Sequence, residues 1–174
     1  MIRKVLAAAM PMALVACASA GEVPADKPAT ANLALADGSA AGTARLVGNG
    51  DRLSLVVDVA GISPGPHGIH LHTVGQCEAP GFTSAGGHLN PGGKQHGTDN
   101  PLGSHLGDLP NIQVDAGGKG SLTVPLHGAR ADLMSELFDA DGTAIVVHAG
   151  PDDYKTDPAG NSGGRIACGV FTRG

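Results

Sequence analysis

A chain of 174 residues has room for one domain with a real hydrophobic core, not for two. Aromatic residues make up 2% of it and tryptophan is absent, so that core must be built from Val, Leu, Ile and Ala. A formal charge of −5 argues against nucleic acid, and against anionic membrane surfaces, as partners.

Residues 1–20 read as an export signal. Arg3 and Lys4 precede an apolar run from Val5 to Ala16 that is too short to span a bilayer as a helix. Two processing sites compete at its end. Ala18-Ser19-Ala20 fits a small-residue cleavage site, and Leu14-Val15-Ala16-Cys17 resembles the lipobox of bacterial lipoproteins, in which the cysteine carries lipid. Either cut removes Arg3 and Lys4, leaving nine basic against 16 acidic residues and a formal charge of −7. Residues 21–29 are rich in Pro and Ala and read as a linker, with the domain proper over 30–174.

Strands are expected over 31–35, 41–47 and 53–59, separated by Asp37-Gly38 and Asn49-Gly50-Asp51, both strong hairpin-turn signals. Further strands follow over 67–73, 111–115, 120–126, 143–148 and 165–171, and only 131–137 has helical character. Eight short strands with turns between them predict an all-β Greek-key sandwich or flattened barrel of antiparallel strands. Two long segments, 74–108 and 149–164, lack strand periodicity and are rich in Gly, Pro, Asn and Asp. Loops of that length in a compact domain are usually functional or disordered. Three histidines in the first, and His148 and Arg165 bracketing the second, favour function.

All eight histidines fall between His67 and His148. His70 and His72 lie two apart in an expected strand, so they share a face and can hold one ion between them. His67, an odd number away, faces the other side and reads as a hydrogen-bonding structural histidine. In the first loop, His88, His96, His105 and Asp108 make a closed set of three imidazoles and one carboxylate that suits Zn²⁺. Bound zinc would then order a loop that has no secondary structure of its own. Of the three cysteines, Cys77 and Cys168 lie within the folded region and Cys17 is the odd one. In an oxidising compartment a disulfide between Cys77 and Cys168 persists, and closing a loop of about 90 residues stabilises by ~4 kcal/mol on the chain-entropy model.

Six motifs in order carry a family resemblance: Gly68-Ile69-His70-Leu71-His72, Gly86-Gly87-His88-Leu89-Asn90-Pro91, Lys94-Gln95-His96-Gly97, His105-Leu106-Gly107-Asp108-Leu109, Val146-Val147-His148 and Gly164-Arg165-Ile166-Ala167-Cys168-Gly169-Val170. They strongly resemble the copper/zinc superoxide dismutases, from about Thr30 to the C-terminus. The resemblance implies one copper per subunit on His70, His72, His88 and His148, and one zinc on His88, His96, His105 and Asp108. His88 would bridge the two; losing both ring protons is favourable only between two cations. Imidazole ligands suit copper, which has two oxidation states for one-electron chemistry, as zinc does not.

The implied reaction turns superoxide into dioxygen and hydrogen peroxide by alternate reduction and oxidation of copper, with His88 carrying a proton and Arg165 pairing with the substrate anion through its fixed fork of donors. Asp152 resembles the carboxylate that links a copper histidine to a zinc histidine; Asp153 beside it is the competing candidate. His127 lies outside every motif. Cys77 follows His72 by five residues and His88 comes eleven after Cys77, a layout closer to the bacterial periplasmic branch. That implies an exported protein of the periplasm, touching a membrane only through a lipid anchor at Cys17, and either monomer or homodimer. The alternative reading is a copper-binding or copper-delivery protein of the same fold without dismutation, expected to lack a copper ligand or the arginine. A purely structural zinc site would leave His70, His72 and His148 unexplained.

Overall fold

A computed structural model of the chain describes residues 26–174. The expected export signal, with Cys17, and residues 21–25 of the expected linker lie outside the described residues.

Alternation of inward and outward side chains builds the first hairpins. Strand β1 (Asp26–Leu35) buries Ala29, Ala31 and Leu33, β2 (Ala40–Asn49) buries Ala41, Ala44 and Leu46, and β3 (Arg52–Ala60) buries Leu53, Leu55, Val57 and Val59. The turns between them need backbone with positive φ, which Gly38 (+85°) and Gly50 (+57°) supply without a Cβ penalty. There follow β4 (Gly65–His67), β5 (Ile69–His72), β6 (Ile112–Val114), β7 (Lys119–Pro125), the helix α1 (Arg130–Leu137), β8 (Ala144–His148), β9 (Arg165–Val170) and β10 (Thr172–Arg173).

These strands form one sheet in the order β4-β6-β7-β3-β2-β1-β9-β8-β5, with β10 added beside β1, and the pairings are antiparallel. The chain passes from β3 to β4 over β7 and β6, and from β7 to β8 across the molecule, which are Greek-key connections. The first and last strands in that order, β4 and β5, are separated in sequence only by Gly68. The sheet must therefore curl until its ends meet, giving a nearly closed barrel. Its interior is filled by Leu33, Leu46, Leu55, Ile69, Leu71, Ile112, Leu137 and Ile145, all fully buried.

Strands β5 and β8 are buried on both faces. Ile69, Leu71, Ile145 and Val147 point into the barrel, while Ala144 and Val146 pack outward against Phe82, Ala85 and Cys168 of a second, smaller cluster. That second cluster lies under the first long loop, which is why β8 reads as a continuous apolar run instead of an alternating one.

Two differences from expectation go beyond a residue or two at an element's end. The single strand expected over 67–73 breaks at Gly68, where β4 pairs with β6 and β5 with β8. Gly68 donates its N–H to Gly150 O (2.8 Å) and accepts from His148 N–H (2.8 Å), so the barrel seam passes through it. Four residues placed in the linker, 26–29, belong to β1, because β1 is paired by β2 and is also covered by β10 through Ala29↔Arg173 and Thr30↔Thr172. Among the described residues ten strands stand where eight were expected, the extra ones being the split at Gly68 and the short β10.

Candidate metal centre

Strand β5 ends the sheet, and the first long loop lies along its free edge. Leu71 N–H donates to Gly107 O (3.0 Å), Leu89 N–H to Leu71 O (2.8 Å) and Thr73 N–H to Gly87 O (2.9 Å). These bonds set His88 opposite His72 and Asp108 opposite His70. From the other side β8 brings His148, whose strand pairs with β5 through His70↔Val146. Residues distant in the chain, such as His70 and Asp108, thus meet because one open strand edge is satisfied by a loop.

Two clusters result. In the first, His70 Nδ1 and the Nε2 atoms of His72, His88 and His148 are buried and have no hydrogen-bond partner, and the four residues can direct ligand atoms to within 4.8 Å of one another. Buried polar atoms without partners are costly and uncommon, yet four converge here. In the second, the Nδ1 atoms of His88, His96 and His105 lie 2.9, 3.0 and 3.1 Å from Asp108 Oδ1. Asp108 Oδ2 accepts the backbone N–H groups of Gly97 (2.8 Å) and His105 (3.0 Å), which aims the carboxylate. His88 belongs to both clusters, one ring nitrogen in each.

The outward nitrogens set the tautomers. His72 Nδ1–H donates to Gly86 O (3.0 Å) and His148 Nδ1–H to Gly163 O (3.2 Å), leaving each Nε2 lone pair facing the first cluster. His70 Nε2–H donates to Asp152 Oδ2 (2.7 Å) and His96 Nε2–H to Asp152 Oδ1 (2.9 Å), leaving both Nδ1 atoms facing their clusters. Burial favours neutral rings: it pushes His88 down to about 4, His148 to about 3 and His72 to about 2. Burial pushes Asp108 upward, but hydrogen bonds from His88, Gly97 and His105, with the nearby His96, hold it well below the carboxylate range. Four imidazoles aimed inward in the first cluster, and three beside a carboxylate in the second, are donor sets that fit a bound cation, and the first matches copper's preference for imidazole.

Of the two neighbouring acids, Asp152 joins the clusters and is buried. Asp153 is exposed and turns away, accepting the N–H groups of Lys155 and Thr156, the Thr156 hydroxyl and Asn161 Nδ2. His67, on β4, is buried with Nδ1 2.7 Å from His148 O and Nε2 2.8 Å from Ser63 O, a hydrogen-bonding post behind the first cluster. His127 is exposed and joins neither cluster.

Arg165 opens β9 directly across from His148. Its Nη1 donates to Phe82 O (2.7 Å) and its Nη2 to Gly86 O (2.6 Å), so Gly86 carries both His72 and Arg165. The guanidinium charge is near enough to help depress His72 and His148. Cys77 and Cys168 form a disulfide with Cα atoms 5.7 Å apart, fastening the loop that carries Phe82 and Gly86 to β9 three residues after Arg165.

The sequence matches the family copper/zinc superoxide dismutase (SODC) over residues 40–171. The chain belongs to the copper/zinc superoxide dismutase family. It is 43% identical over 149 residues to superoxide dismutase [Cu-Zn] 2 of Aquifex aeolicus, covering 84% of this chain and 87% of that protein. It is 41% identical to superoxide dismutase [Cu-Zn] of Caulobacter vibrioides, covering 82% of this chain and 84% of that one. Among solved structures, Cu/Zn superoxide dismutase from Brucella abortus superposes with a TM-score of 0.63 at 31% identity, over 84% of this chain and 99% of that one. A SOD-like protein from Bacillus subtilis superposes with a TM-score of 0.75 at 36% identity, over 81% and 96% of the two chains. Copper and zinc are the metals of this family, and the two histidine-rich clusters can hold them.

Three residues of this superoxide dismutase fold escape the motifs and act on the site. Asn111 grips the main chain of Asp152 at both ends, accepting its N–H at Oδ1 (2.8 Å) and donating Nδ2–H to its carbonyl (2.9 Å). Asp157 Oδ1 accepts the backbone N–H of His96 (2.6 Å). Gly160 sits at φ +63°, where a Cβ would overlap Asp152 Oδ1 and crowd His96 Nε2. None of the three carries a sequence signal beyond a turn-forming residue type; Asn111 and Asp157 work through partners 41 and 61 positions away, and Gly160 through the space it leaves beside Asp152 and His96.

Proposed function

We propose that the chain is an exported superoxide dismutase, turning two superoxide anions and two protons into one dioxygen and one hydrogen peroxide. His70, His72, His88 and His148 hold copper, and His88, His96, His105 and Asp108 hold zinc. Copper, when bound, supplies the two oxidation states through which one superoxide is oxidised and the next reduced, while zinc contributes fixed charge. The observation that carries this reading is the convergence of four buried, unpartnered ring nitrogens, each with its tautomer set from behind.

Arg165 binds and orients the anion. Two of its N–H groups are committed to Phe82 O and Gly86 O, which leaves the remaining donors of a rigid fork for a diatomic anion. With a mature formal charge of −7, attraction must be local, and a fixed guanidinium beside His72 and His148 provides it. His88 moves the proton: its Nε2 faces the first cluster, takes a proton there, and gives it to the reduced substrate, water supplying the second. His88 Nδ1, which faces Asp108 in the second cluster, would meanwhile be held there as a zinc ligand, so the ring returns to one place.

Export to the periplasm follows from residues 1–20 and is supported by a disulfide that persists in an oxidising compartment. Cys17 is the site of a lipid anchor if the lipobox is cut, and the protein acts as a monomer or homodimer. Mass spectrometry of the exported protein decides the anchor: an unmodified chain starting at Gly21 excludes it.

A copper-delivery protein of this fold, without turnover, would lack a copper ligand or the arginine; this chain has all four histidines and Arg165. Metal analysis of the purified mature protein with a superoxide-consumption assay, repeated on His148→Ala and Arg165→Ala, separates the readings. We expect copper and zinc in comparable amounts and turnover in the parent, copper loss in His148→Ala, and retained copper with slower turnover in Arg165→Ala. Both metals bound with no turnover in the parent would sink the enzyme reading.

A further inference from the structure

The three histidines of the first long loop are not held alike. His88 is flanked by Gly87 and Leu89, both bonded to the edge of β5, and the His105 N–H is taken by Asp108 Oδ2 at 3.0 Å. His96 lies between them on a stretch without strand structure. Its carbonyl accepts Asn100 Nδ2–H (3.0 Å), and its N–H reaches 61 positions along the chain to Asp157 Oδ1 at 2.6 Å. The ring of His96 is fully buried and clamped between two carboxylates, Asp108 on one nitrogen and Asp152 on the other. A ring held so tightly at both nitrogens tolerates little drift of its own backbone.

Asp157 belongs to the second long loop, and that loop is built to present it. Asp153 gathers the N–H groups of Lys155 (2.9 Å) and Thr156 (2.8 Å), the Thr156 hydroxyl (2.6 Å) and Asn161 (2.9 Å), closing a turn around the carboxylate just before Asp157. The turn is also seated against the neighbours of His96: Asp99 N–H donates to Tyr154 O (3.0 Å), and Asn100 Nδ2 lies 3.4 Å from Lys155 O. At Gly97, φ +104°, a Cβ would collide with the Tyr154 carbonyl, so only glycine lets the two loops close to this distance. The two long loops therefore meet at one seam, which touches the His96 ring through Asp152 and the His96 backbone through Asp157.

We propose that Asp157 is a positioning residue for the zinc site: its carboxylate fixes the His96 backbone and so aims the ring between Asp108 and Asp152. This rests on the reading of His96 as a zinc ligand. The acceptor oxygen is what matters, because the partner is a neutral peptide N–H; an amide oxygen serves nearly as well as a carboxylate, and a methyl does not. In the first cluster His70, His72 and His148 are held by β5 and β8, and His88 by the loop bonds to Leu71 and Thr73, so that cluster depends on the Asp157 bond only indirectly, through Asp152.

The test compares Asp157→Ala, Asp157→Asn and His96→Ala in the full mature chain. Zinc and copper affinities are measured by chelator competition, and cobalt(II) in place of zinc reports ligand geometry through its visible absorption. We expect Asp157→Ala to weaken zinc binding by roughly tenfold, on the scale of lost outer partners, with an altered cobalt spectrum and copper affinity within about twofold. Asp157→Asn should keep zinc affinity within about twofold and the parent spectrum, and His96→Ala should lose zinc binding. Unchanged zinc affinity in Asp157→Ala beside loss in His96→Ala overturns the positioning role alone. Equal losses in Asp157→Ala and Asp157→Asn, or equal losses of zinc and copper, overturn it as well. Parent-like zinc binding in His96→Ala overturns the ligand reading, and the proposal with it.

Discussion

Asp152 Oδ2 stands 2.7 Å from His70 Nε2, with both side chains sealed from solvent. The other oxygen of the same carboxylate is 2.9 Å from His96 Nε2, so one residue sets the tautomer of a histidine in each cluster. Replacement by alanine leaves two buried N–H groups without acceptors and frees both rings. Asp152→Ala should lower metal retention or turnover by ~10–100-fold. Asp152→Asn keeps one acceptor oxygen and turns an NH₂ toward the other ring, so it should fall between. Metal content and superoxide consumption measured on both variants check this; a parent-like Asp152→Ala would remove the carboxylate from the mechanism.

The metal-free protein should lose stability as the solution is made acidic. In the unfolded chain a histidine titrates near ~6.5, but burial holds His88 at about 4, His148 at about 3 and His72 at about 2 in the fold. Below the unfolded value, the unfolded chain therefore binds more protons than the folded one, and stability falls with pH by up to ~1.4 kcal/mol per unit for each such histidine. Asp108, lowered as well, keeps its contribution above its ordinary range and loses it as pH falls further. Urea unfolding of metal-free protein between pH 7.5 and 5 measures the slope. A flat or rising stability toward pH 5 would contradict the buried neutral rings.

Gly160→Ala tests how closely the second loop covers the centre. The residue is buried in left-handed backbone, and a methyl group there meets Asp152 Oδ1 and His96 Nε2 together. Backbone strain of about 1–3 kcal/mol adds to displacement of the carboxylate. The variant should melt lower and bind both metals more weakly, whereas Gly164→Ala, whose Cβ would stand in open space, should bind metals like the parent. Parent-like copper and zinc affinities in Gly160→Ala would show the loop to be looser than it stands here.

Removing the Cys77 to Cys168 bond should cost stability and activity by separate routes. Its sequence separation of 91 residues corresponds to about 4 kcal/mol of unfolded-state entropy. It also releases the segment whose Phe82 and Gly86 carbonyls hold Arg165. The Cys77→Ser, Cys168→Ser double variant should unfold at lower denaturant and turn over superoxide more slowly while retaining copper. Unchanged turnover at full copper loading would mean that Arg165 is held without the tether.

Pleat periodicity and turn chemistry are local, and they were legible. The alternation of β1 to β3, the glycine turns and the shared face of His70 and His72 depend on residues a few positions apart. Ligand types and the motifs around them likewise pointed to two metals and to a family. Strand partners were not legible: Gly68 ends β4 and starts β5 because the barrel closes there, which no pattern within seven residues can express.

The sequence by itself determined the all-β class, the hairpins and the inventory of histidines, carboxylates and cysteines, since backbone preference and donor chemistry reside in each residue and its near neighbours. Tertiary structure alone decided how that inventory is aimed. Asp152 reaches His70 across 82 positions and Asn111 holds Asp152 across 41, while Asp157 holds His96 across 61. Such bonds form because loops must satisfy their polar groups against whatever the folded strands bring near, and only the closed barrel sets which groups those are.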